Sequence, residues 1–208
     1  MLMNASIYPS TERPDSDAAT RLHTSRRSLL TKVLHAGLLL AVSHQLLLVG
    51  FVERPRAASP GNDFFVWHET VGVVTLGIVT AFWLWALLRR SETAASALFP
   101  WLTKHRCQAL WRDVRAHVDE LRQFRLRRAD ESALASATHG LGLLVVAGMA
   151  GTGAVMALGG VPGGAVLQVH KLLANLMWAY VIAHAAVALL HQRHGGRVLQ
   201  RMFGSTRG

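Results

Sequence analysis

The chain has 208 residues, of which 51% are hydrophobic and 16% are charged, and its mean hydropathy of +0.27 is too high for an ordinary soluble domain. The formal net charge is +10, but the basic residues lie between long apolar runs, which excludes a soluble nucleic-acid binder and favours a membrane protein. Cys107 is the only cysteine, so the chain has no internal disulfide, cysteine-ligated zinc site or Cys-x-x-Cys-His motif.

The first apolar run follows a polar N-terminal tail. Residues 1–28 are rich in Ser, Thr, Asp and Pro without an apolar run, so we expect a disordered tail rather than a signal peptide. Residues 29–52 are mostly apolar, and 24 residues at about 1.5 Å each would cross a hydrocarbon layer of about 30 Å. The turn at 53–63 contains two prolines and a glycine, which stop a helix.

A second apolar run covers residues 64–88 and is also long enough to span. Trp67 lies near one end, and Trp83 and Trp85 lie near the other. This placement is typical of aromatic anchors at the two membrane interfaces.

The central segment 89–133 contains ten Lys or Arg residues and no run long enough to span, so we expect it outside the lipid core. Its apolar residues recur at helical spacing, with arginines between them: Trp111, Val114, Val118, Leu121 and Phe124, interleaved with Arg112, Arg115, Arg122 and Arg125. The pattern predicts a basic amphipathic helix on an anionic membrane face. A helix that docks a partner protein has the same pattern.

Two further apolar runs complete the predicted domain, which covers residues 29–192. The third run, 134–158, is rich in glycines, which let a neighbouring helix or a flat macrocycle approach the backbone: Gly140, Gly142, Gly148, Gly151 and Gly153. After a turn at 159–164, the fourth run covers 165–191 and leads to a basic tail at 193–208. The predicted fold class is an all-α membrane protein, a four-transmembrane-helix bundle.

The orientation of the bundle follows from the distribution of Lys and Arg. Five Lys or Arg residues lie between the N-terminus and Lys32, counting Lys32 itself. Ten lie in the central segment, and four lie from Arg193 onwards. The opposite side has Arg54 and Arg56, with Lys171 just inside the fourth run. The positive-inside rule therefore predicts that both termini and the central loop are cytoplasmic.

Six histidines fall within the four runs: His35, His44, His68, His139, His170 and His184. By residue count, His35, His139 and His184 lie about 7–10 Å inside the cytoplasmic surface, and His68 and His170 lie similarly deep below the opposite surface. The sequence therefore predicts one layer of candidate ligands near each face.

The fourth run carries a histidine in each layer. His170 and His184 are 14 residues apart, which in a helix is about 21 Å and about 40° short of four full turns, so both imidazoles lie near one face. Ionisable residues in a bilayer usually mark a functional site. The alternative is a pair of core histidines bonded to backbone carbonyls.

Haem suits this pattern better than a zinc or copper site. Such a site would need three or four ligands at one depth, and Glu69 is almost the only carboxylate within the spans. Two opposed imidazoles suffice for a haem iron, and a four-helix bundle supplies an apolar slot for the macrocycle.

The segment HKLLANLMWAYVIAHAAVALLHQRHGGRVLQRM, which begins at His170, resembles the last helix of the bacterial cytochrome b561 family. That family also groups with the b-type cytochrome subunits of nickel–iron hydrogenases. The resemblance extends to LHAGLLLA in the first run and WHETVG in the second, and covers roughly residues 30–205. It implies a protein of the bacterial inner membrane.

The resemblance also implies two non-covalent b haems in the bundle core. The inner iron would be held by His35 with His184, and the outer iron by His68 with His170. The depths of the four histidines give the same two pairs.

Other histidines compete for these roles. His44 is nine residues from His35, about 900° of helical turn, so the two point to opposite faces, although the depth of His44 would suit the outer site. His139 has the depth to replace His35, although the adjacent Gly140 and Gly142 suit packing against a haem face. His191 and His194 lie near the cytoplasmic end, solvated or close to a propionate.

Basic residues on the outer side are further candidates. Lys171, Arg54 and Arg56 could neutralise haem propionates or attract a small anion. Snorkelling to lipid headgroups is the alternative.

The predicted function is electron transfer across the membrane. The resemblance allows a stand-alone quinone-linked oxidoreductase, since some family members are superoxide oxidases, or an anchor subunit that serves a partner redox protein such as a dehydrogenase or hydrogenase. A rival of another class is a haem-free module that uses its histidines for proton relay or metal transport.

Overall fold

The structure is a computed structural model that describes residues 28–56, 58–88, 98–122, 133–159, 163–193 and 202. Several predicted features lie outside the described residues. They are the N-terminal tail up to 27, Phe124, Arg125, His194 and, apart from residue 202, the C-terminal tail from 194.

Five α-helices form the described part of the chain. They are α1 (Leu29–Leu48), which continues as a 3-10 turn (Val49–Phe51), α2 (Asp63–Leu88), α3 (Lys104–Arg122), which a 3-10 turn (Pro100–Leu102) precedes, α4 (Ala133–Gly159) and α5 (Gly164–Arg193). All except α3 are long and apolar enough to cross a membrane, and the described residues contain no β-strand. The predicted fold class is therefore confirmed: the protein is an all-α, four-helix membrane bundle.

Asn62 closes the turn between α1 and α2. Its Oδ1 accepts hydrogen bonds from the backbone N–H groups of Glu53 and Phe65, both at 3.1 Å, and its Nδ2 donates to the Phe51 carbonyl at 2.8 Å. The preceding Gly61 has a φ of 84°, and a Cβ there would lie 2.8 Å from the Glu53 carbonyl oxygen. Only glycine suits this turn, which places the start of α2 beside the end of α1.

At the opposite end, a hydrogen bond joins the same two helices. Ser28 caps α1 by accepting from the backbone N–H of Thr31 at 3.2 Å. The indole Nε1 of Trp85 donates to the Thr31 hydroxyl at 2.9 Å, while the neighbouring Trp83 stacks on Phe99 at 5.3 Å. Two of the three tryptophans predicted as interfacial anchors, Trp83 and Trp85, thus also join parts of the bundle to each other.

The helices pack in the order α1, α2, α4, α5. Within the described part of the chain, α4 packs extensively on both α2 and α5, whereas α5 has no comparable packing on α1 or α2. The central cluster draws on all four spans: Leu46, Val79, Val145, Val146 and Met177. Many other large apolar side chains are exposed, as expected where lipid covers the outer surface.

The predicted amphipathic helix of the central loop is α3. It packs against the beginning of α4, where the Asp113 carboxylate accepts from the Leu134 backbone N–H at 3.3 Å. Trp111 is exposed, and the guanidinium of Arg115 lies 5.3 Å from the centre of its ring. This contact leaves an aromatic side chain and a cation together on the outer surface of α3.

Val79→Ala should lower the stability of the bundle by about 1 kcal/mol, because it removes methyl groups from a packed cluster. Val79 is 2% exposed, whereas Val73 on the same helix is 63% exposed. We therefore expect Val79→Ala to lower the midpoint of thermal unfolding in detergent, and Val73→Ala to leave it nearly unchanged. Equal effects of the two substitutions would contradict this packing.

Candidate functional site

The structure brings His68 of α2 to His170 of α5. Their ring centroids are 6.2 Å apart, and the rings are nearly perpendicular, at 82°. Both side chains are half-buried. The Nδ1 of His170 lies 2.9 Å from the hydroxyl oxygen of Thr152 on α4, so three helices contribute to this site, which we call the outer site after the predicted orientation.

Gln45 of α1 adds a fourth helix to the outer site. Its Nε2 donates to the backbone carbonyl of His68 at 2.8 Å, and the side chain lies over Gly72, where a Cβ would be 3.3 Å from Nε2. Two polar atoms here, Oε1 of Gln45 and Nδ1 of His68, are buried without a hydrogen-bond partner among the described residues. Such atoms are costly in an apolar interior and point to a further polar group at this site.

At the other end of the bundle, His35 of α1 faces His184 of α5, with ring centroids 6.5 Å apart and an angle of 51°. The Tyr180 ring stacks on His184 at 5.4 Å, nearly parallel at 10°. Since Tyr180 lies one helical turn before His184, the tyrosine covers one face of the imidazole.

His139 of α4 also approaches His184, at 5.2 Å and 85°. Its Nδ1 lies 2.7 Å from the Ala135 carbonyl oxygen, which can only accept, so Nδ1 carries the hydrogen. His139 thus makes the bond to its own backbone expected of a structural core histidine, although it lies within the inner site.

Gly140 and Gly142 are both buried in close contacts. Gly140 lies against the backbone of Leu98, and Gly142 lies against the Tyr180 ring, in each case closely enough that a Cβ could not fit without movement. Gly142 therefore lets Tyr180 approach α4 and cover His184. A contact of either glycine with haem stays a prediction.

The remaining candidates lie at the ends of the bundle. Arg54 and Arg56 lie in the turn between α1 and α2, and exposed Lys171 follows His170 on α5, all at the outer end. His44 is exposed on α1 and His191 is half-buried near the end of α5. Neither His44 nor His191 belongs to a described histidine pair.

The family model for prokaryotic cytochrome b561 matches residues 26–205. The chain belongs to the prokaryotic cytochrome b561 family. No curated protein and no solved structure matches it. As a cytochrome b561, it is a multi-pass membrane protein that binds b-type haem and takes part in electron transfer.

The two histidine pairs of this cytochrome fit haem iron. If a metal–imidazole bond is about 2 Å and each ring adds about 1.1 Å from nitrogen to centroid, two axial imidazoles have centroids about 6.2 Å apart. The observed 6.2 Å and 6.5 Å agree with this value. The 5.2 Å between His139 and His184 is too short for an iron between them, so the geometry favours His35 over His139.

Three polar residues of the site were not among the sequence-based candidates: Gln45, Thr152 and Tyr180. Gln45 and Thr152 could have been identified as site candidates, because each is a polar residue within an apolar span and lies at the depth of the outer histidines. Tyr180 could have been found from its spacing of one turn from His184. What the sequence could not give is which neighbouring helix each side chain faces.

Gly142→Ala should disturb the inner site, because the added methyl group must displace the Tyr180 ring that covers His184. We expect a stability loss of about 1–3 kcal/mol, typical of overpacking, and a changed spectrum of the bound haem. Gly151→Ala on the same helix is the matched control, because nothing lies within 4 Å of its added Cβ. Thermal unfolding and the absorption spectrum in detergent test both variants, and indistinguishable effects would contradict the assigned contact.

Proposed function

We propose that this cytochrome b561 holds two b haems and carries electrons between the two faces of the bacterial inner membrane, in exchange with the quinone pool. One observation supports this above all: α5 presents histidines 14 residues apart, and each meets a histidine from another helix at the spacing of axial ligands. A single structural histidine pair would not require this repetition at two depths.

In this proposal, His35 and His184 hold the inner iron, and His68 and His170 hold the outer iron. The haems supply one-electron iron chemistry when bound. The spacing along α5 sets the two sites about 21 Å apart. Because imidazoles from the protein take both axial positions, the arrangement favours electron transfer over oxygen binding.

An apolar cluster that includes buried Met177 lies between the two sites. Met177 lies half-way along α5 between the two histidines and is 2% exposed, and Leu173 and Val181 pack against the same cluster. We expect this apolar cluster to keep water out of the space between the sites, which would limit the uncontrolled passage of protons and ions.

The proposed orientation places both termini and α3 on the cytoplasmic side, as the distribution of Lys and Arg predicts. His35 and His184 are then the inner pair. The exposed Trp111 and Arg115 of α3 would lie at the level of the lipid headgroups, where an aromatic ring and a cation are both favourable.

A stand-alone quinone-linked oxidoreductase, such as a superoxide oxidase, is one form of this function. A second candidate is a membrane-anchor cytochrome subunit that receives electrons from a dehydrogenase or hydrogenase. The exposed Trp111 on α3 supports that alternative, because such a surface also suits a partner protein. Purification from the native membrane distinguishes the two by whether a redox subunit accompanies the chain.

His184→Ala should remove only the inner haem, and His170→Ala only the outer one, since each substitution deletes one ligand of one pair. We expect the haem content to fall from about two to about one per chain in each variant. His44→Ala, at an exposed position on the protein surface, is the control and should retain both haems. Haem-to-protein ratios measure the outcome, and a variant that keeps both haems after loss of His170 or His184 would disprove the pairing.

Quinol should reduce the oxidised protein directly if the chain works alone with the quinone pool. The measurement is the appearance of reduced b-haem absorption bands after addition of a soluble quinol to purified protein in detergent. Reduction by dithionite without reduction by quinol would argue against the stand-alone form. A purified preparation without haem, from cells with ample haem, would favour the haem-free transport module.

A further inference from the structure

The hydroxyl of Thr152 contacts the imidazole of His170, a proposed haem ligand, at Nδ1. Its oxygen lies 2.9 Å from Nδ1 of His170, and also 2.7 Å and 3.0 Å from the backbone carbonyl oxygens of Gly148 and Met149. At the neighbouring Gly153, a Cβ would lie 3.6 Å from Cε1 of His170, which is an ordinary van der Waals distance. The ring therefore lies beside α4 and is bonded to it through Nδ1.

The hydrogen-bond partners of Thr152 determine which nitrogen of His170 carries the hydrogen. A hydroxyl has one hydrogen to donate, and a carbonyl oxygen can only accept. With two carbonyls in reach, the Thr152 hydrogen is donated to the backbone, and its oxygen accepts from Nδ1–H of His170. A neutral imidazole with its hydrogen on Nδ1 has its lone pair on Nε2, the form that binds a metal.

We propose that Thr152 is a positioning residue for the outer haem, which fixes the tautomer and the ring orientation of His170 and increases the basicity of its Nε2. The inference rests on the proposed function, because it requires His170 to be an axial ligand. Outer partners that accept the second N–H of a ligating histidine act in this way at metal sites.

The contrast with the other histidines supports a specific role. His139 makes the corresponding bond to the carbonyl of Ala135 in its own helix, an arrangement that any helical histidine can adopt. His170 is instead bonded to a side chain of the neighbouring helix, so the position of its ring depends on how α4 and α5 pack. Thr152 thus connects helix packing to ligand geometry.

We expect loss of the Thr152 hydroxyl to change the reduction potential of the outer haem. An Nδ1–H bonded to an acceptor makes imidazole a stronger electron donor, which stabilises ferric over ferrous iron. Thr152→Val keeps the shape of the side chain but removes the acceptor, so the potential of the outer haem should rise. A tenfold change in the ratio of ferric to ferrous affinity corresponds to about 59 mV for one electron.

The experiment is a spectroscopic redox titration of the haem-loaded protein and four variants, of which Thr80→Val is the control. The outer haem is identified as the one absent from His170→Ala. We expect Thr152→Val to raise its potential by about 59 mV, the change that corresponds to a tenfold affinity ratio, without changing the inner haem. Thr152→Ser, which restores a hydroxyl, should return the potential close to that of the unmodified protein.

Thr80→Val is the matched control. Thr80 also donates its hydroxyl to the carbonyl four residues earlier, Leu76, at 2.7 Å, but it is exposed. The control loses the same kind of backbone bond without a ligand beside it, so both haem potentials should stay unchanged.

Each outcome decides the proposal. Loss of the outer haem in Thr152→Val but not in Thr152→Ser would support it, because the hydroxyl alone would then account for haem retention. An unchanged outer potential in Thr152→Val, an equal shift of both haems, or failure of serine to restore the property would overturn it. Absence of haem from the unmodified protein would instead disprove the proposed function itself.

Discussion

The packing of this bundle depends on one constraint, which is the free-energy cost of placing unpaired polar groups in hydrocarbon. Side chains that are apolar on all sides of a helix cannot determine which face turns inward, since lipid accepts them as readily as the protein does. The polar groups do so here. Trp85 is bonded to Thr31, Gln45 to the carbonyl of His68, and His170 to Thr152, and each bond joins two different helices. These interhelical bonds fix the rotations of the helices, and the same rotations turn the paired histidines towards one another.

The fold was largely predictable from the sequence, because a bilayer permits few solutions. An apolar run of sufficient length must be a helix, and the four observed spans begin and end within two residues of the predicted ones. The amphipathic spacing around Trp111 and Val118 likewise predicted α3. Depth was predictable in the same way, since helical rise converts residue number into distance, and the structure brings together the two histidine pairs that depth suggested.

The detailed environment of the site was not predictable, because it depends on helix neighbours and rotations. The contacts of Gly142 with the Tyr180 ring and of Gly140 with the backbone of Leu98 could not be read from the sequence. The packing order α1, α2, α4, α5 is also the order of the four spans along the chain, but chain order does not give the rotation of each helix. These rotations place Thr152 beside His170 and His139 beside His184.

The uneven packing of α5 has a consequence for biogenesis. This helix leaves the ribosome after the other three described spans, and of these only α4 offers it an extensive surface. Its histidines reach towards α1 and α2 without comparable packing to hold them there. Iron bound by these histidine pairs would connect α5 to α1 at one site and to α2 at the other. Haem insertion would then complete the assembly of a bundle in which the first three spans already pack together.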